Sequence, residues 1–339
     1  MDWPACGTGG LRGRGRRESY GRRDESRAGV GRQLPKGVAM SWTLMGFLTA
    51  LVLVNIAFFI GWVRARRTHP HRDAPTIGDV VIGLVTDFFD ALGIGSFAPT
   101  TALFKLRGRP ADELIPGTLN VGHNPPAFVE TAIFVTAVAV DPLLLTAMVG
   151  SATLGAYLGA GTVSRLPVRA IQLFMGAALL IAATFFAIAN LGAFPVGGEA
   201  TSLPGWRFGL AVAVNFVLGA LTSVGIGPYA PCMVLLALLG LHPLSAYPIM
   251  MGTCGLVQPV ASLQFFKTGR FAWGTSLGLA MGGVVGILVA VFVVKQLPLH
   301  TLRWLVMIVV AYAAVSMLRS AMKATPVSPA AAPAPADGL

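Results

Sequence analysis

Two long apolar runs in this chain carry the same helix-breaking phrase, GIGSFAP at 93–99 and GIGPYAP at 225–231. The copies lie 132 residues apart (225 − 93). Glycine and proline are the residues least tolerated inside a helix. Such a phrase, used twice within apolar sequence, points to two related halves whose helices stop partway. Other features recur in the same order. Pro116 pairs with Pro248 at an offset of 132, and Gly155 pairs with Gly286 at 131. Leu166-Pro167 pairs with Leu297-Pro298, again at 131, and Pro125-Pro126 lies close to Pro259 in register. An internal repeat of this kind predicts two copies of a unit of about four helices, residues 76–190 and 205–322.

Composition places the repeat in a membrane. Of the 339 residues, 55% are hydrophobic and 12% charged, against about 25% charged in soluble domains. Nine runs reach or approach the ~20 residues that cross a bilayer. They are 42–63, 77–104, 113–140, 142–163, 168–190, 206–240, 244–267, 272–294 and 302–320. Trp42, Trp62, Trp206, Trp273 and Trp304 stand near run ends, where amphipathic rings settle at the interface. The fold class expected is all-α and polytopic, with residues 41–64 as an extra transmembrane helix before the repeats. Four full crossings per unit would give both copies one orientation. A re-entrant break would invert one copy against the other, a plan common among secondary transporters.

The formal charge of +11 is concentrated outside the runs. Residues 1–40 hold nine Lys/Arg against four Asp/Glu, and RARRTHPHRD at 64–73 holds four arginines against one aspartate. No aromatic platform or binding motif accompanies this charge, so nucleic acid is not expected as a partner. The partners expected are the lipid bilayer and a small anionic solute, and a homodimer is one arrangement open to such a chain. Residues 1–40 read as a disordered basic tail, and 323–339 as a disordered Ala/Pro tail. Met40 opens a segment that reads like a natural start, so residues 1–39 are expected to be dispensable. Cys6, Cys232 and Cys254 form no metal-ligand spacing, and no cofactor is expected.

Breaking a helix frees the N–H groups of the half that follows, and such an end carries partial positive charge and binds anions. Pro99 and Pro231 follow their glycine breaks as first-turn prolines do. Asn124 before Pro125-Pro126, and Gln258 before Pro259, suggest the same device. Four half-helix ends would then face one anion site, lined by Gly93, Gly95, Ser96, Thr100, Asn120, His123, Asn124, Gly225, Gly227, Tyr229 and Gln258. The alternative is that the glycines serve close helix packing and the prolines only kink.

Ionisable residues inside spans are functional candidates. Asp87 and Asp90, in TDFFDALGIG, share a helix face at i,i+3. Repeat offsets place Gly219 and Thr222 opposite them, so the acid pair exists in one half alone. Asp87, Asp90 and Glu130 are the expected proton-coupling residues, with one proton shared between the two aspartates. A merely solvated pair, and an interhelical hydrogen bond for His123, are the plainer readings.

The segments GIGSFAPTTALFKLRGRPADELIPGTLNVGH and GIGPYAPCMVLLALLGLHPLSAYPIMMGTCG resemble the duplicated signatures of the TauE/SafE family of sulfite and organosulfonate exporter-like permeases. The resemblance covers about 76–320, and Ser96-Phe97 and Pro228-Tyr229 stand where the family pattern has further glycines. It implies export of sulfite, an organosulfonate or a related sulfur-containing or carboxylate anion across a bacterial inner membrane. A membrane enzyme that uses the Asp87/Asp90 pair to hold Mg²⁺, and a non-transporting assembly partner, are the alternatives.

Overall fold

The computed structural model describes residues 42–68, 73–193, 198–225, 227–293 and single residues between 308 and 322. The span expected at 302–320 and both tails therefore fall wholly or mostly outside the described residues. The protein is an all-α polytopic membrane protein. Eleven helices are described: α1 (Trp42–Thr68), α2 (Ile77–Ala91), α3 (Phe97–Arg107), α4 (Ile115–Gly122), α5 (Asn124–Ala137), α6 (Pro142–Val163), α7 (Val168–Asn190), α8 (Trp206–Thr222), α9 (Tyr229–Leu238), α10 (Pro243–Thr268) and α11 (Trp273–Val293). Among the described residues there is no strand, only one bridge between Ala200 and Leu241. Helices α1, α6, α7, α10 and α11 are long and apolar enough to cross a membrane.

Local signals set the ends of these helices. Thr76 and Asp79 form a capping box at the start of α2, with Asp79 N–H donating to Thr76 Oγ1 (3.2 Å) and Thr76 N–H donating to Asp79 Oδ2 (3.0 Å). Asp141 caps α6 just before Pro142, accepting from Leu143 N–H at 2.9 Å. Gly108 and Gly269 close α3 and α10 with φ of 67°, the left-handed conformation that suits glycine.

Two of the nine expected spans do not cross. Arg107, the last residue of α3, donates to Asp79 Oδ1 (2.8 Å) and Thr76 Oγ1 (3.1 Å) at the first turn of α2. The two arms of 77–107 thus run antiparallel and return the chain to the face it left. Arg207, at the start of α8, likewise donates to the carbonyl of Leu239, just past α9 (3.3 Å). Residues 77–104 and 206–240 are therefore re-entrant helical hairpins, because the glycine turns reverse the chain instead of kinking it.

The hairpins open to opposite faces. Arg270, after α10, reaches the carbonyls of Ser164 and Leu166, after α6, at 3.1 and 2.8 Å. Ala272 N–H donates to Thr118 Oγ1 (2.9 Å), near the start of α4. Lys105 pairs with Asp112 (2.8 Å), which also accepts from Gln172 near the start of α7 (2.7 Å). These contacts gather the open end of the first hairpin with the ends of α6 and α10 and the starts of α4, α7 and α11. At the other face, Ser245 near the start of α10 donates to Ala139 after α5 (3.3 Å), and His242 N–H donates to Ala200 O (2.7 Å) beside the open end of the second hairpin. The first face holds Arg64, Arg66, Arg67, Lys105, Arg107, Arg109, Arg165, Arg169, Lys267 and Arg270; the second holds Arg207. The repeats have inverted topology.

The halves also exchange partners. Helix α2 lies along α11, and α8 along α6. A Cβ on Gly286 would collide with the Leu84 carbonyl, and one on Gly155 with the Phe216 carbonyl. Those positions are repeat equivalents: 286 − 155 is 131, and 216 − 84 is 132. Gly282 meets the Val80 carbonyl where, in the other copy, Ser151 Oγ donates to Val212 O at 2.9 Å. Gly83 meets the Leu279 carbonyl where Asn215 Nδ2 donates to Met148 O at 2.8 Å. Small residues let these backbones approach, as membrane helices require.

Helix α1 is seated on α10 and turns Leu53, Ile56 and Ile60 outward. Trp62 is buried against protein, with its ring 6.3 Å from that of Trp273. Trp42 and Trp206 are exposed, and Trp304 lies outside the described residues.

Candidate functional site

The hairpin tips meet inside the protein. In the first, Leu92 and Ile94 N–H donate to Phe89 O and Gly93 N–H donates to Asp90 O, with Gly93 and Gly95 at φ of 79° and 89°. In the second, Gly225 N–H donates to Thr222 O (2.9 Å) and its φ is 98°. A Cβ on Gly95 would lie 3.8 Å from the Tyr229 Cβ, and one on Gly227 would lie 3.7 Å from the Phe97 Cβ. The first turns of α3 and α9 therefore start beside each other. Their first helical bonds are Thr100 N–H to Ser96 O (3.0 Å) and Cys232 N–H to Pro228 O (2.9 Å). The N–H groups ahead of these have no intrahelical acceptor.

The other two helix breaks are not half-helix ends. Helix α10 runs unbroken through Gln258 and Pro259. Between α4 and α5 only His123 interrupts, with backbone angles still helical (φ −86°, ψ −4°). His123 N–H donates to Leu119 O, and Ala127 N–H donates to His123 O, both at 3.0 Å. A proline at Asn124+1 loses an N–H but need not stop a helix whose neighbours are packed around it. The expected four N-termini are thus two.

Around the tips lies a buried polar network. His123 Nδ1 is 2.9 Å from both carboxylate oxygens of Asp87, and Nε2 is 3.0 Å from Thr100 Oγ1. Thr100 donates to Thr86 Oγ1 (2.9 Å), and Thr86 donates to Ile82 O (2.8 Å). The Phe97 ring lies against His123, centroids 5.7 Å apart. Ser96 donates to Asp90 Oδ2 (2.9 Å), and Tyr229 donates to Glu130 Oε2 (3.0 Å). The network draws α2, α3, α5 and α9, hence both halves, to one place.

Asp87 and Asp90 share a helix face but not a partner. Asp87 faces His123 and Asp90 faces Ser96, so the geometry does not pair the two aspartates with each other. That replaces the expected shared proton. Asp87, Asp90, Thr100, Asn120, His123, Asn124, Glu130 and Gln258 are all at most 1% exposed. No lysine or arginine is fully buried among the described residues. Five oxygens here accept no hydrogen bond: Asp90 Oδ1, Asn120 Oδ1, Asn124 Oδ1, Glu130 Oε1 and Gln258 Oε1. Gln258 is buried on α10 without a bond to the network, whereas Asn120 reaches toward the second tip through a long contact with Thr222 O (3.5 Å). Cys232 and Cys254 are free, buried thiols. Among the described residues no cluster of three metal-ligating side chains occurs.

Sequence reading missed two members. Thr86 sits one residue before Asp87 and links the hairpin arms through Thr100. Asn55 of α1 donates to Gly255 O (3.2 Å) and accepts from Asn124 Nδ2 (3.0 Å), tying the extra helix to the kink in α4–α5. Its signal was available: a lone amide in the apolar run LVLVNIAFF.

Comparison with protein-family models, curated proteins and solved structures gives no match.

Proposed function

We propose that the protein is a secondary transporter of a small anion in a bacterial inner membrane. The observation that carries this is the meeting of two oppositely directed re-entrant tips at a buried polar centre between inverted repeats. Transporters of that plan hold their solute at the repeat interface, with half-helix N-termini turned to anionic groups. The starts of α3 and α9 supply two such ends. The carboxylates of Asp90 and Glu130 would repel an anion if ionised. An anion therefore enters more readily when they carry protons, which couples solute to proton. The likeness of the GIG phrases to TauE/SafE signatures favours sulfite, an organosulfonate or a related carboxylate as solute, and export as the direction.

Flux into proteoliposomes tests the reading. A panel of sulfite, sulfate, thiosulfate, sulfoacetate and small carboxylates is expected to yield at least one transported solute. Gly95→Leu and Gly227→Leu, which fill the space between the tips, are expected to abolish its flux in protein that still inserts. Unimpaired flux in both variants would sink the reading.

One geometric feature favours a second reading, a membrane enzyme. Asp87, His123 and Thr100 stand in the order acid, base, hydroxyl, with Thr100 in the first turn of α3. With Nε2 free of hydrogen, such an array can activate a nucleophile. Product formation without solute flux in the same vesicles would select it. The Mg²⁺ form of the enzyme reading fits less well, since Asp87 and Asp90 turn to different partners.

A further inference from the structure

We infer that His123 carries a hydrogen on Nε2 in this state, so that it and Asp87 together hold one extra proton, and that losing this proton either forces the two arms of the first hairpin apart or disturbs the turn of α2 that carries Asp87. The inference follows from counting hydrogens along one chain of contacts. A carbonyl oxygen only accepts, so the 2.8 Å contact between Thr86 Oγ1 and Ile82 O uses the single hydroxyl hydrogen of Thr86. The 2.9 Å contact between Thr100 and Thr86 must then use the hydrogen of Thr100. Nothing is left on Thr100 to donate, so the 3.0 Å contact with His123 requires the hydrogen to be on Nε2. At the other side of the ring, Nδ1 and the Asp87 carboxylate lie at 2.9 Å and share a second hydrogen, whichever partner bears it. A neutral imidazole beside a carboxylate has one hydrogen for these two positions; this pair has two.

Removing the Nε2 hydrogen has a fixed consequence. Thr100 must now donate to Nε2. The oxygens of Thr86, Thr100 and Ile82 then make two contacts with one hydrogen between them. Either Thr100 and Thr86, or Thr86 and Ile82, are left as bare oxygens at hydrogen-bond distance, which repel. Thr86 belongs to α2 and Thr100 to α3, so the first choice separates the hairpin arms and the second disturbs the turn of α2 that carries Asp87. The released proton passes to water or to a basic solute.

The surroundings leave the ring little other help. Asp90 on α2, Glu130 on α5, Tyr229 on α9 and Cys254 on α10 are the titratable groups of this region, and none is a cation. On the α11 side Asp87 Oδ2 abuts Gly283, which presents backbone alone. The second half has Gly255 at the repeat position of His123 and Gly219 at that of Asp87, at an offset of 132 in each case. The proton device is built into one hairpin only.

Its role in driving solute movement rests on the transporter reading. The position of the hydrogen does not, and it is measurable in protein that transports nothing. Solid-state NMR of the full chain in lipid vesicles, labelled with ¹⁵N-histidine and ¹³C-aspartate, identifies His123 by the coupling of its Nδ1 to a carboxylate carbon. The expected result near neutral pH is a hydrogen-bearing Nε2. A bare Nε2 beside a protonated Nδ1 overturns the inference. Thr86→Val removes the competing oxygen, so the bare form of Nε2 is expected at a lower pH than in the wild type, with the Nδ1–carboxylate coupling kept. An unchanged pH for that transition in Thr86→Val overturns the link to the hairpin arms.

Discussion

At the scale of single residues, the first glycines of the two GIG phrases make the same demand. Gly93 and Gly225 both sit at positive φ, 79° and 98°, where each closes the first arm of its hairpin. A left-handed conformation costs an L-residue roughly 1–2 kcal/mol. Gly93→Ala and Gly225→Ala are each expected to lower stability by about that amount, read as a fall in thermal midpoint in detergent. An unmoved midpoint in either variant would contradict this account. A Cβ on Gly227 would make only an ordinary contact with Phe97. Tyr229 makes a second test. Its hydroxyl is the donor to Glu130, whose other oxygen already lacks one. Tyr229→Phe should cost about 1–3 kcal/mol, the penalty for an unsatisfied buried acceptor, and Glu130→Gln paired with it should recover part of that loss. Additive losses in the double variant would show that the bond matters little.

At the scale of elements, the sequence revealed the breaks and their pairing but not their direction. A glycine phrase in an apolar run reads the same whether the chain continues or turns back. What decides is a contact across 28 residues, Arg107 to Asp79, which no local pattern announces. The same limit explains the two N-termini that were expected and not found. Asn-Pro-Pro is a sound start signal in isolation, yet the helix through His123 is held by packing on both sides. The acidic pair was legible as an i,i+3 face, whereas its division between His123 and Ser96 depends on where α3 and α4 fold back. The repeat offsets, by contrast, carried straight into contacts. Gly155 and Gly286 occupy equivalent notches, each against a carbonyl of the other half's hairpin. Gly155→Val and Gly286→Val are therefore expected to destabilise to a similar degree, by about 1–3 kcal/mol or more, as overpacking does. Comparing their unfolding midpoints checks this, and a silent variant at either site would break the equivalence.

At the scale of the whole molecule, ten of the described basic residues stand at one face and Arg207 at the other. Short basic loops stay cytoplasmic, so the open end of the first hairpin is expected inside the cell and the open end of the second outside. Ala111→Cys and Ser202→Cys, both at exposed positions, probe the two faces. A membrane-impermeant maleimide is expected to label Ser202→Cys in intact cells and Ala111→Cys only after permeabilisation; the reverse pattern would invert the assignment. Deleting residues 1–39 should leave that pattern unchanged, because the segment offers no apolar pattern to pack. The exchange of partners between halves also sets an order of events during synthesis. Helix α2 leaves a glycine-notched face uncovered until α11 exists, and α11 begins about 180 residues after α2 ends (273 − 91). At roughly 5–20 residues per second, the nascent hairpin waits on the order of ten to forty seconds before α11 covers that face. Through that interval something other than the finished fold must shelter it, which makes this chain a client of whatever membrane machinery holds half-built helices beside the ribosome.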